Sequence, residues 1–184
     1  MKNFIVGLVI GVLVVPLVVY AYFAWGFAPV ATAASTMPFE EMLAHKALSA
    51  RIEQEMPKTV PIAADEASYL TGVQVYRQNC AVCHGLPLEA PTAISKGMFP
   101  KPPQLFRGKG VTDDEPGETY WKVANGIRMS GMPGFSQSLS STQMWQVSLL
   151  LANADKLPEA AKLALAAGST QAPSAAPGSG GSQP

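Results

Sequence analysis

The chain is poor in the residues from which most reactive sites are built. Of 184 residues, two are cysteine and two are histidine. Charged residues make up 14% of the chain, 13 basic against 13 acidic, for no net charge. That balance, which also holds within residues 65–157, excludes the basic face of a nucleic-acid binder. The total shows no strongly polarised docking face either. There is no Ser/His/Asp set, no phosphate-binding glycine loop and no thiol outside one closely spaced pair. Nothing therefore points to catalysis, and the chain is expected not to be an enzyme.

The longest absence is of charge. After Lys2 and Asn3, residues 4–39 carry none. Residues 4–27 are almost wholly Val, Leu, Ile, Ala and aromatics, long enough to span a hydrocarbon core of about 30 Å. Tyr20, Tyr22, Phe23, Trp25 and Phe27 gather at the far end, where an aromatic belt belongs. Pro16 is tolerable inside a membrane helix. Ala31-Thr32-Ala33 resembles a signal-peptide cleavage site. The apolar run, however, exceeds the usual h-region of about 7–15 residues. A retained anchor is the preferred reading, with Lys2 on the cytoplasmic side and all that follows residue 28 outside.

Both cysteines fall within Cys80-Ala81-Val82-Cys83-His84. This is C-x-x-C-H, the attachment signature of a c-type haem. Two thiols at this spacing each form a thioether with one vinyl group of a single porphyrin, and the next residue supplies the proximal imidazole. One haem c consumes both thiols. Three other readings are weaker. A redox-active pair calls for a βαβ surround, and the flanks are helical and then irregular. Zinc needs four ligands, and only His45 remains to join the pair and His84. A plain disulfide leaves the adjacent His84 unexplained.

Around the motif the pattern is helical. Asp65 is a good N-cap for a helix through Ser68 to Asn79 that ends at the haem motif. Gly117 to Asn125 reads as a short helix. Ser140 and Gln143 form a capping box ahead of a last helix bearing Met144, Trp145, Val147, Leu149, Leu150 and Leu151. Between His84 and Gly117 no period survives, as expected of a loop wrapped on a cofactor. Pro38 followed by Phe39-Glu40-Glu41 begins another helix, ending near Met56, in a segment read as a spacer. The expected organisation is an anchor or uncleaved signal-anchor at 1–27, a linker with a short helix at 28–64, a haem domain at 65–157 and a disordered tail at 158–184. The tail is rich in Ala, Gly, Ser and Pro and buries too little to order itself.

Several further features share one origin. Gly72 precedes Tyr76 by one helical turn, and Trp145 stands on the last helix. Pro102-Pro103-Gln104-Leu105 follows the haem motif, and Gly131-Met132-Pro133 lies between the irregular stretch and the last helix. Together with C-x-x-C-H, these resemble a class I cytochrome c domain over residues 65–157, an all-α fold of three to four short helices around a covalent haem. The resemblance implies that the Gly72/Tyr76 helix crosses the Trp145 helix. It implies that the Pro103 carbonyl accepts the Nδ1–H of His84, fixing its tautomer, and that Leu105 packs on the haem. It also implies that Met132 is the sixth ligand. Met129 is the one serious rival; Met98 and Met144 read as adaptable core fillers. Glycine before Met132 lets the backbone approach the ring, and proline after it stiffens the strap. Arg128 reads equally as a propionate partner or as a solvated arginine, and Asp113-Asp114-Glu115 as a solvated turn or a docking patch.

His/Met ligation fills both axial positions and raises the potential. The resemblance thus implies a membrane-tethered one-electron carrier at the inner membrane, its haem domain in the periplasm. Its partners would be redox proteins: a respiratory oxidase, a dehydrogenase or a bc1-type complex. Two alternatives stay open: a haem subunit of an oxidase or dehydrogenase complex, and a haem enzyme or ligand sensor with a labile distal methionine.

Overall fold

The structure, a computed structural model, describes residues 1–106 and 114–167. Eight helices occur among them and no strand. They are α1 (Lys2–Ala24), α2 (Glu40–Glu55), α3 (Glu66–Asn79), α4 (Ala81–His84), α5 (Ala93–Gly97), α6 (Pro116–Asn125), α7 (Ser141–Ala152) and α8 (Glu159–Ala166). The all-helical class expected from the sequence is the class found. The chain divides into two compact units, Met1–Ala47 and the remainder from Leu48.

In the first unit, α1 runs unbroken for 23 residues through Pro16, and none of its residues is buried. It is the one helix among the described residues long and apolar enough to cross a bilayer. That surface suggests a membrane anchor, because water would not tolerate it bare.

The second unit is a packed helical domain. α3 starts where Asp65 accepts a 2.8 Å bond from the Ser68 amide. α7 starts at the capping box, with Gln143 N–H on Ser140 Oγ at 3.2 Å and Ser140 N–H on Gln143 Oε1 at 2.9 Å. These two helices cross at Gly72. A Cβ there would stand 2.5 Å from the Gln146 carbonyl oxygen and 3.1 Å from Leu150 Cβ. The crossing therefore needs glycine for closeness, and it buries Tyr69, Val73 and Tyr76 against Met144, Val147 and Leu150. The nearest obstructing atom, the Gln146 carbonyl oxygen, is backbone of α7 and cannot step aside. Gly72→Ala should cost about 2 kcal/mol, a fall in Tm of about 10 °C for a domain of this size, readable by thermal melting at 222 nm.

The packed unit takes in residues that the sequence reading gave to the linker and to the tail. The linker was expected to run to residue 64, but the second unit starts at Leu48. Ile52 is buried, Ile62 leans on the core, and Trp121 Nε1–H donates to Glu55 Oε2 at 3.1 Å. A helix read as spacer thus gives its C-terminal half to the domain. At the other end, the expected disordered tail begins with a helix. α8 packs on α3, with Ala161 and Leu165 buried in the core and Arg77 Nη1–H donating to the Ala164 carbonyl at 3.2 Å. Alanine lowers the cost of helix formation here, and α3 covers the apolar side. Residues 168–184 of that tail lie outside the described residues.

The stretch after His84 is also more ordered than expected. α5 interrupts it, with Thr92 as N-cap accepting from Ser95 N–H at 3.1 Å. Of the acidic run, Asp113 lies outside the described residues. Asp114 is bound to Lys122 Nζ at 3.1 Å, and Glu118 holds the same ammonium at 2.7 Å. Burial lowers the Lys122 pKa, and the two carboxylates more than offset that, leaving it above the ordinary lysine value. Asp114 is therefore committed to an internal ion pair rather than a freely solvated turn.

Candidate haem site

The haem motif is carried by a single tight turn. Cys80 caps the C-terminus of α3, and its carbonyl accepts from Cys83 N–H at 3.1 Å and His84 N–H at 2.9 Å. α4 therefore starts as α3 ends, and both thiols are brought onto one short helical segment. The Tyr76 hydroxyl donates to the Gly85 carbonyl at 2.7 Å, a buried bond that fastens α3 to the residue after His84. The Tyr76 ring stands edge-on to Phe106 with centroids 4.9 Å apart. Trp145, on the helix that crosses α3, stacks on Tyr120 of α6 with ring centroids 4.2 Å apart.

Both cysteines are free and half-buried. Burial, with a smaller contribution from Cys83, pushes the Cys80 thiol up to about 12. A redox-active C-x-x-C pair needs the opposite, a lowered pKa. His84 Nδ1 lies 2.8 Å from the Pro103 carbonyl oxygen. With Nδ1–H donated there, Nε2 is left with its lone pair for a metal. Burial also lowers the His84 pKa, against the opposing effect of that bond, so the neutral ring is favoured.

The second methionine-bearing segment is a closed strap. Ile127 N–H bonds to the Met132 carbonyl at 3.1 Å. Ser130 knots its middle, donating from Oγ to the Ile127 carbonyl at 2.7 Å and accepting from Met132 N–H at 3.2 Å. Gly126, at φ +68°, sits so close to the returning chain that a Cβ would meet Gly134 N at 2.5 Å and Met132 O at 2.8 Å. Phe135 N–H then bonds to the Val123 carbonyl at 2.9 Å, tying the strap to α6. Met132 is half-buried against the core, whereas Met129, at φ 60°, is 90% exposed. The strap thus separates the two methionines that the sequence left in competition.

The site residues divide clearly. Pro103 is joined to His84, Leu105 is buried in the core, and Met132 leans on the same core. Arg128 is exposed, and His45 is an exposed residue of α2 whose Nε2 lies 3.9 Å from Glu41. Cys80, Ala81, Phe106, Met132, Phe135 and Leu139 pack on the core while staying only partly buried. A flat apolar macrocycle suits such side chains, and the donor set of two thiols, one imidazole and one thioether suits a c-type haem. Among the described residues no group of three or more His, Cys, Asp and Glu could hold a metal ion by itself.

Residues 67–149 match the family model described as cytochrome c oxidase, cbb3-type, subunit III. This region is a c-type cytochrome domain. Haem, iron and electron transport belong to that family. No curated protein matches the chain. Among solved structures, a chain of the reducing HAO-like protein complex of Kuenenia stuttgartiensis is similar, at 21% identity and a TM-score of 0.45. The similarity covers 55% of this chain and 52% of that one, so it extends over about half of each.

Proposed function

We propose that this cytochrome is a membrane-tethered one-electron carrier with one haem c, bound through Cys80 and Cys83 and ligated by His84 and Met132. The observation that carries the reading is that both candidate donors are held in place by their own segments. The His84 ring is held by Pro103, and Met132 is drawn to the core by a strap that turns Met129 outward. When bound, the haem supplies the redox-active iron. The residues supply the rest: two axial donors that need not move between oxidation states, a fixed imidazole tautomer, and an apolar wall that excludes water.

The tether would be α1, retained, in the cytoplasmic membrane, with the haem domain in the periplasm. A tethered carrier acts through effective concentration and needs little affinity for its oxidase, dehydrogenase or bc1-type partner. A second reading is favoured by the match over 67–149: the domain serves inside one oxidase complex rather than as a shuttle. Both readings make it an electron-transfer protein rather than an enzyme in its own right.

Purified full-length protein should titrate as a single one-electron couple and show the weak far-red sulfur–iron band when oxidised. Absence of the band, with CO binding to the reduced form, would place it among haem enzymes or ligand sensors. Copurification with oxidase subunits from mild detergent would favour the complex reading. Recovery with membranes after a high-salt wash, with Met1 or Lys2 still at the N-terminus, is expected of an uncleaved anchor.

A further inference from the structure

Met98 lies at the end of α5, outside both ligand segments, and its side chain is half-buried. Its methyl carbon rests directly on Gly131: a Cβ added to Gly131 would collide with Met98 Cε. Glycine beside Met132 was expected to let the backbone approach the haem, and the space a side chain would take there holds the methyl of another methionine. Met98 is itself anchored. Its N–H bonds to the Ser95 carbonyl at 3.4 Å, and Ser95 is buried. Thr92, the N-cap of α5, donates from Oγ1 to the Val82 carbonyl inside the C-x-x-C-H turn at 2.7 Å. A continuous path therefore runs from Val82 through Thr92, α5 and Met98 to Gly131, one residue from Met132.

We propose that Met98 is a positioning residue for Met132, a brace that presses the distal strap from the proximal loop; this rests on reading Met132 as the axial ligand. The bonds of the strap hold its own shape through Ser130 and tie it to α6 through Phe135. The Met98 contact joins it to the proximal segment. A thioether prefers ferrous iron, so the ferric state depends most on a strap that holds the sulfur in place. An unbranched, polarisable side chain is well suited to filling the irregular gap over a glycine.

The test uses the full chain with its haem, titrating the ferric form with imidazole. Met98→Ala should keep the far-red band yet bind imidazole roughly tenfold more tightly, the size expected when one contact of a coupled pair is lost. Met98→Leu, which keeps the bulk, should stay within about twofold of the parent, as near-isosteric apolar exchanges usually do. Gly131→Ala puts a methyl where that of Met98 lies, evicts it, and should reproduce Met98→Ala. Imidazole affinity unchanged in both Met98→Ala and Gly131→Ala overturns the brace. Complete loss of the band in Met98→Ala also overturns it, because Met98 would then be on the iron. Retention of the band in Met132→Ala sinks the ligand assignment itself, a result separable from either.

Discussion

Met132→Ala should abolish the far-red sulfur–iron band and lower the reduction potential while leaving the haem on the protein. Cys80 and Cys83, the proposed attachment points, lie on α4 and its cap, and the strap that carries Met132 closes independently through Ile127 and Ser130. Truncation at Met132 therefore removes a ligand without removing the attachment. Water or a harder donor in its place favours ferric iron, because the thioether was the ligand that favoured ferrous. The opened position should admit CO in the reduced state and support some peroxidase activity. Met129→Ala should do none of this, since that side chain is 90% exposed. The cost of truncating Met132 from a half-buried site is about 2 kcal/mol, so the variant should remain folded and its spectrum interpretable. A band lost in Met129→Ala and kept in Met132→Ala would reverse the assignment.

What could be read from the sequence was whatever is encoded locally. Asp65 and the Ser140/Gln143 box start their helices by bonds to amides three residues away, so short patterns announce them. The apolar length of α1 is likewise a property of composition. The C-x-x-C-H turn is five residues long, and its chemistry is written in its spacing. What could not be read depends on contacts between distant segments. The stretch 159–166 looks like the start of an alanine-rich tail until α3 covers Ala161 and Leu165 and Arg77 reaches the Ala164 carbonyl. Ile52 and Glu55 read as parts of a spacer because nothing in α2 signals their partners in the domain. Met98 looked like a filler and Gly131 like a concession to the haem. Each acquires its role only from the other, and no period or motif links positions in two irregular loops.

Replacing both Cys80 and Cys83 by alanine should convert a covalent haem into a dissociable one and loosen the whole domain. In the parent, acid–acetone extraction should leave the red colour with the polypeptide, because each thiol has become a thioether. In the double variant the colour should pass into the solvent. The single variants should each retain one bond, and so the colour. The energetic argument is one of concentration. A tethered haem meets its ligands intramolecularly, and releasing it forfeits a factor of roughly 10²–10⁴, or about 3–5 kcal/mol. The partly buried Phe106, Phe135 and Leu139 then depend on a haem held only by His84 and Met132. For a domain of this size the loss corresponds to a fall in Tm of more than about 15 °C. Burial pushes the Cys80 thiol up to about 12, so its removal deletes no charge that would explain such a loss otherwise. Colour extracted from the unmodified protein would refute covalent attachment. A double variant that melts like the parent would show that α3, α7 and α8 carry the domain without a tethered cofactor.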